Sequence, residues 1–283
     1  MATKKTASSK KSVTKVRATP AAATKAKTTK VTTVKAVSAT SSRTRFAGVR
    51  SVSQMHLGAA VAEFVGTFLL AGAFIAAQGQ PIVVLFAVVG IVMAVGALSG
   101  AHINPAITIA AWVGRKITAL RAVVYIVAQV LGAMLALVVL NAFIGQAPEV
   151  SQQAAAYGQT AAQLFTSNDL TSGKEWTVFF AELFGATILG FAVAGARRQL
   201  ELSSKALTTG LGYFLGLLVA GSAAVAVGAT TILNPAVAVS VQALDFNSVW
   251  PVTVYVLASV LGATVGFLLS DLLASERFSA KDV

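Results

Sequence analysis

The stretch Ser99-Gly100-Ala101-His102-Ile103-Asn104-Pro105-Ala106 contains an Asn-Pro-Ala triplet that recurs at residues 234–236. The two triplets are 130 residues apart, and each follows the second long apolar stretch of its half of the chain. Asn is a favoured helix N-cap, and Pro is favoured at the first helical position because its missing N–H would have no partner there. One such triplet is common at the start of a helix. A function is therefore indicated only by the occurrence of two triplets at equivalent positions.

The helices that begin at these triplets are predicted to be half-length. Residues 104–114 and 234–244 precede the next charged side chains, Arg115 and Asp245, and each covers eleven positions. Eleven helical residues rise about 16 Å, half of the ~30 Å hydrocarbon core of a bilayer. We therefore expect two half-helices that start near the membrane centre, one entering from each face.

Six apolar stretches are close to or above the ~20 residues that a transmembrane helix needs. They cover residues 57–77, 82–98, 119–144, 176–196, 206–227 and 249–273. Residues 125–133 match 255–263 at the same offset of 130 positions. Because each half contains three spans, the second copy is inverted, and such repeats place the functional site at the midplane between them.

The predicted fold class is an all-α membrane protein with six transmembrane helices and two re-entrant half-helices in an inverted repeat. The predicted channel domain covers residues 55–275, with repeat one at 55–145 and repeat two at 175–273. Two opposed helix N-termini, each equivalent to roughly +0.5 charge, would oppose protons and other cations. The side chains of Asn104 and Asn234 would offer N–H groups to a passing water oxygen.

The positive charge of the chain is concentrated at its N-terminus. Charged residues make up 11% of the chain, against about 25% in soluble domains, which indicates a membrane protein. Thirteen of the 22 Lys and Arg lie in residues 1–50, which contain no Asp or Glu. These residues include too few large apolar side chains to offset the entropy of ordering, so we predict a disordered basic tail with no cleaved secretory signal.

Four interpretations of this tail stay open. Its cations suit anionic cytoplasmic lipid, at about 1 kcal/mol each near the surface, and this is the preferred interpretation. Its Lys, Thr, Ala and Ser composition also suits nonspecific binding of nucleic acid. An organellar transit peptide is a third interpretation, although such peptides favour Arg over Lys. A solvated spacer is the fourth.

Cations beside the spans predict the orientation of the chain in the cell membrane. Two loops, between spans two and three and between spans four and five, carry Arg115, Lys116, Arg121, Arg197, Arg198 and Lys205. The opposite loops carry little positive charge. By the positive-inside rule, the two basic loops and both termini are predicted to be cytoplasmic.

The first triplet in its context, together with Leu233-Asn234-Pro235-Ala236, resembles the signature of the aquaporin or major intrinsic protein family. The resemblance covers residues from about 57 to 273. It implies a multi-pass channel for water and small neutral solutes that assembles as a homotetramer with one pore per subunit. No cofactor is predicted. The chain lacks cysteine, and its sequence shows no paired carboxylates, metal cluster or phosphate loop, which argues against an enzyme.

The resemblance also assigns a selectivity filter. Family members usually have Arg directly after the second triplet, where this chain has Val237. The other filter positions fall on Val84, Ser222 and Thr231, and water-selective members tend to have Phe and His at the first two. Because the side chains at these positions are small and uncharged, the constriction is predicted to be wider than in strict water channels. Glycerol or urea is then predicted to pass as well as water. The short second re-entrant loop is instead typical of water-selective members.

The remaining candidate residues for function or packing are three polar side chains and two pairs of glycines. The resemblance implies that Glu63 and Glu182 accept backbone N–H groups of the re-entrant loops, although an intramembrane carboxylate is a functional candidate by default. His102 is predicted in the vestibule, either as a pH sensor or as a static packing residue. Small-xxx-small glycine pairs at 212/216 and 262/266 predict close helix contacts.

Two alternative functions stay open beside the water channel. The first is a facilitator for glycerol or other small solutes, with a filter widened by the missing Arg. The second is a structural membrane protein with a closed pore, whose basic tail binds a polyanion.

Overall fold

A computed structural model of the protein describes residues 52–144, 151–158 and 163–279, and the regular structure within these ranges is helical. The helices are α1 (Val52–Ala76), α2 (Pro81–Ser99), α3 (Pro105–Val113), α4 (Ala119–Ile144), α5 (Gln152–Ala156), α6 (Glu175–Ala196), α7 (Leu202–Val225), α8 (Pro235–Ser240), α9 (Val249–Val252) and α10 (Ser259–Ser279). A π-helical segment, Thr253–Ala258, joins α9 to α10. The tail predicted for residues 1–50 lies outside the described residues.

The six predicted spans are confirmed as helices long and apolar enough to cross a membrane. They are Leu57–Ala76, Pro81–Ser99, Ala119–Ile144, Glu175–Ala196, Leu202–Val225 and Val249–Ser275. The helix ends follow local chemistry. Pro81 lies in the first turn of α2, and Gly100 ends that helix with a left-handed φ of 94° and an N–H bond to the Gly96 carbonyl.

The packing follows the inverted repeat. The first and third spans of each half pack together, as α1 on α4 and as α6 on α10, while the second spans, α2 and α7, pack across the two halves. Glycines allow the closest of these contacts. A Cβ added at Gly132 would lie 2.3 Å from the Phe64 carbonyl oxygen, and one at Gly262 would lie 2.2 Å from the Leu183 carbonyl oxygen. The backbones therefore approach at equivalent places in both halves.

The two half-helices are present but unequal. The prediction of eleven helical residues in each is wrong, because α3 has nine residues and α8 has six. Each half-helix is followed by a residue with left-handed backbone, Arg115 or Gln242, both at φ 57°. These two residues are 127 positions apart rather than 130. The Ala243 N–H bonds to the Ala238 carbonyl at 2.9 Å, which closes α8 three residues early.

Candidate functional site

The two half-helices begin at buried asparagines that cap them. Asn104 has an extended backbone, and its Oδ1 accepts the Ala106 N–H at 2.8 Å. Asn234 caps α8 in the same way, with its Oδ1 accepting the Ala236 N–H at 3.0 Å. Both asparagines are 0% exposed. Because each Oδ1 is committed to its own helix, each amide nitrogen points away from it.

The amide nitrogens join the two halves. Asn104 Nδ2 donates to the Leu233 carbonyl oxygen at 2.9 Å. Asn234 Nδ2 donates to the Ile103 carbonyl oxygen, also at 2.9 Å. Each N-cap thus binds the residue that precedes the other N-cap. The tips of α3 and α8 are in direct hydrogen-bonded contact in the buried interior between the two halves.

A tyrosine from α7 lies between these two tips. The Tyr213 hydroxyl oxygen is 3.1 Å from Asn104 Nδ2 and 3.4 Å from Asn234 Nδ2. It accepts from both amides, and its side chain is buried. This residue was not predicted from the sequence. The one feature of the sequence that could have indicated it is its position near the middle of the 24-residue helix α7. The half-helices were expected to start at the same depth.

Glu63 supports the first re-entrant loop. Its two carboxylate oxygens accept the His102 N–H at 2.9 Å and the Ile103 N–H at 2.6 Å. Gln129 of α4 donates to the same carboxylate at 2.7 Å. The buried charge therefore receives three hydrogen bonds, which is the condition for burying a carboxylate without a large penalty.

Glu182 supports the second loop in the same way. It accepts the Ile232 N–H at 2.6 Å, the Leu233 N–H at 2.9 Å and the Ser259 hydroxyl at 3.0 Å. The backbone donors are 130 residues beyond those that bind Glu63. Each carboxylate thus holds the two residues that precede a capping asparagine.

These bonds hold strained backbone next to the caps. Ile103 has φ 44° and Leu233 has φ 58°, both in the left-handed region that residues other than Gly seldom adopt. Such strain persists only where surrounding contacts fix it. Here the N–H of each residue is bound by a glutamate, and its carbonyl oxygen is bound by the asparagine of the other half.

His102 is hydrogen-bonded on both ring nitrogens. Nε2 is 3.4 Å from Arg197 Nη1, and Nδ1 is 3.2 Å from Thr108 Oγ1. Because a guanidinium only donates, Nε2 accepts and Nδ1 carries the proton that is donated to Thr108. A second ring proton would face the Arg197 charge. This geometry favours a neutral ring over a charged one.

A large vestibule opens beside the start of α2. It has a volume of about 510 Å³, and its lining includes Gln80, Leu217, Ser222 and Thr231. Two of the four predicted filter residues, Ser222 and Thr231, therefore share one cavity. The other two, Val84 and Val237, are each 1% exposed and do not line it. The structure thus brings together only the polar pair of the predicted filter.

A small vestibule opens beside the other end of α2. It has a volume of about 230 Å³, and its lining includes Gly96, Ala101, Arg197 and Thr209. His102 is not among its lining residues, although it follows Ala101 in the chain. None of the described residues that line this vestibule also lines the large one. The capping asparagines line neither.

Six membrane-spanning helices in two inverted halves, with capped half-helices meeting between them, define an inverted-repeat membrane channel. Residues 48–269 match the family model described as Major intrinsic protein, and the chain belongs to this family of transmembrane channels, which are not enzymes. It is 33% identical over 232 residues to Aquaporin-2 of Rattus norvegicus, covering 76% of this chain and 78% of that protein.

A second relative and a solved structure of similar fold extend the comparison. The chain is 32% identical over 196 residues to Lens fiber major intrinsic protein of Ovis aries, covering 67% of this chain and 66% of that protein. Its fold is similar to that of the aquaglyceroporin from Plasmodium falciparum, with a TM-score of 0.53 at 19% identity. That likeness covers 76% of this chain and 93% of the solved one.

Proposed function

We propose that the protein is a passive channel for water and small neutral solutes, whose path runs between the two vestibules past Asn104 and Asn234. The observation that carries this proposal is the contact of the two half-helix tips between the halves. Polar N–H groups at that depth suit a solute that can accept hydrogen bonds. The relatives named aquaporin support water as one such solute.

Exclusion of ions is part of the same proposal. The N-termini of α3 and α8 both face the centre, and each carries a partial positive charge that opposes a cation at low dielectric. The dipole effect acts mainly within the first turn, so the six-residue α8 still contributes it. Val237 supplies no charge, so exclusion of protons and cations rests on the two helix ends.

The proposed solute range includes glycerol and urea beside water. The large vestibule presents the hydroxyls of Ser222 and Thr231 on a mainly apolar wall, and neither this pair nor the buried Val84 and Val237 at the other two predicted filter positions carries a charge. A hydroxylated or amide solute finds hydrogen-bonding groups there and no ion to displace. We therefore propose a channel that is less strict than one that passes water alone.

Stopped-flow light scattering of proteoliposomes tests the function. Vesicles holding the full chain are mixed with hypertonic sucrose for water, and with glycerol or urea gradients for solutes. We expect faster volume changes than in empty vesicles, and no conduction of K⁺ or protons measured with entrapped dyes. Ion flux that accompanies water flux would contradict the proposed exclusion.

A closed-pore structural protein is the second candidate, because Tyr213 lies between the two asparagines and the vestibules share no lining residue among the described parts of the chain. If the pore is closed in this way, neither the natural chain nor a variant of Tyr213 conducts water. Scattering traces that match those of empty vesicles throughout would favour it.

We also propose that the protein lies in the cell membrane as a homotetramer with cytoplasmic termini. Asp271 pairs with Lys116 at 2.8 Å and with Arg198 at 3.0 Å, so both basic loops lie at one face of the molecule, as one cytoplasmic side requires. Crosslinking in native membranes tests the assembly. Protease protection of a tag at either terminus tests the orientation.

The basic tail is proposed to bind anionic lipid, with nucleic acid as the less favoured partner. The test compares the full chain with a variant lacking residues 2–50, in flotation with phosphatidylserine vesicles and in a gel shift with duplex DNA. Loss of vesicle binding alone supports lipid. Loss of DNA binding alone supports nucleic acid and overturns the lipid proposal.

A further inference from the structure

We infer that Tyr213 is the gate of this channel: its hydroxyl occupies the position of a permeating solute oxygen between Asn104 and Asn234, and conduction requires its displacement. This inference rests on the proposed function and adds the residue that regulates it. It is carried by hydrogen-bond geometry, by the position of Tyr213 on α7, and by the close packing of that helix.

The side-chain N–H groups of Asn104 and Asn234 all have acceptors already. Each carboxamide has two N–H groups. One N–H of Asn104 goes to the Leu233 carbonyl and one to the Tyr213 hydroxyl, while Asn234 uses its pair on the Ile103 carbonyl and the same hydroxyl. No amide proton of either asparagine is left for a solute. A water or alcohol oxygen gains both donors only when Tyr213 gives them up.

The face of α7 that carries Tyr213 connects the two vestibules. Thr209 lines the small vestibule, and Leu217 lines the large one. Tyr213 lies four residues from each, about 6 Å along the helix axis in either direction, on the same face. The phenol therefore lies between two cavities that share no lining residue among the described positions. Displacement of the phenol is therefore expected to connect them.

The helix itself is held in place, so the moving part is the side chain. A Cβ added at Gly212 would lie 2.5 Å from the Ala192 Cβ, and one at Gly216 would lie 2.7 Å from the Gly185 carbonyl oxygen. A Cβ at Gly210 would lie 2.6 Å from Val89 Cγ2. With α7 in close contact with both α2 and α6 around Tyr213, rotation of the ring opens the path with the helix fixed. The two vestibules begin about one turn of α7 away on either side, at Thr209 and Leu217.

The experiment measures osmotic water permeability of proteoliposomes holding the natural chain, Tyr213→Ala, Tyr213→Phe or Tyr125→Phe. Tyr125 is the matched control because it is also fully buried and lines neither vestibule, and its hydroxyl bonds to the Ser99 carbonyl. Rates are normalised to the amount of folded protein, measured by size-exclusion chromatography and thermal unfolding in detergent.

We expect Tyr213→Ala to raise permeability most, because it removes the ring. Tyr213→Phe keeps the ring but leaves two buried amide N–H groups unpaired when the gate is closed. It should raise permeability roughly tenfold, the factor that the loss of one or two such bonds makes in a two-state equilibrium. Tyr125→Phe should match the natural chain. If Tyr213→Ala does not fold, the Tyr213→Phe result decides.

The outcomes separate the gate from the channel. A natural chain that conducts at the same rate as both Tyr213 variants overturns the gate and leaves the channel intact. Traces no faster than empty vesicles for the natural chain and for both Tyr213 variants overturn the gate and the channel together. If Tyr125→Phe raises water permeability as much as the Tyr213 variants do, the gate is overturned. Such a rise would follow from the loss of any buried hydroxyl.

Discussion

The carbonyl oxygen of Leu233 accepts a hydrogen bond of 2.9 Å from the side chain of Asn104, across 129 residues of sequence. An equivalent bond runs in the opposite direction, from Asn234 to the Ile103 carbonyl. Each half of the chain therefore completes the hydrogen bonding of the other. Changes at the tips are expected to act on stability as well as on permeation.

Replacing Asn104 with Asp tests the hydrogen bond between the two halves separately from the N-cap of α3. Asp keeps the Oδ1 that caps α3 but removes both amide N–H groups, and it places a second oxygen against the Leu233 carbonyl oxygen, whereas the Tyr213 hydroxyl can turn and donate to it. We expect a loss of about 1–3 kcal/mol in the free energy of unfolding, because buried acceptors then face each other. Thermal unfolding in detergent measures it, with the exposed Gln153→Glu as control. Equal stability of the two variants would contradict the cross-link.

Replacing Glu182 with Gln should weaken the second re-entrant loop. The carboxylate accepts from Ile232, Leu233 and Ser259, whereas an amide places an NH₂ group against one of these donors. A buried donor left without an acceptor costs about 1–3 kcal/mol. Glu201→Gln, at an exposed position where the side chain caps nothing, is the matched control. Hydrogen exchange of the loop amides reports the local effect, and unchanged protection would refute the role.

Replacing Gly266 with Ala should prevent folding or destabilise the protein severely. The new Cβ would lie 1.9 Å from the Thr187 carbonyl oxygen, so α6 and α10 would have to separate along their whole contact. Gly90→Ala is the control, since nothing lies within 4 Å of its Cβ position. That change should be neutral or stabilising by up to about 1 kcal/mol. The yield of monodisperse protein in detergent distinguishes the two.

Replacing Val237 with Arg should narrow the solute range. A guanidinium at this position, in the first turn of α8, adds a fixed positive charge and bulk in place of the small, uncharged Val237. We expect glycerol and urea permeability to fall relative to water permeability in the scattering assay. Val237→Leu adds bulk without charge and serves as the control. A ratio of glycerol to water permeability unchanged in the Arg variant would show that Val237 lies off the path.

Local chemistry accounts for what the sequence predicts well. The spans follow from length and hydropathy, and the half-helix starts follow from the capping chemistry of Asn104-Pro105 and Asn234-Pro235. Both signals lie within a few residues of the feature that they predict. The bounds of the spans were therefore predicted within a few residues.

Tertiary contacts account for what was missed. The end of α8 depends on where Gln242 adopts a left-handed backbone, which no residue type there announces. The place of Tyr213 depends on the rotation of α7, set by glycine contacts with α2 and α6, and its partner Asn104 is 109 residues away.

The reciprocal bonds between the tips also make the two halves depend on each other during assembly. Either half alone would carry a capping amide and a left-handed carbonyl without their counterparts. The two re-entrant loops are therefore expected to become ordered in a single step, once both halves are inserted.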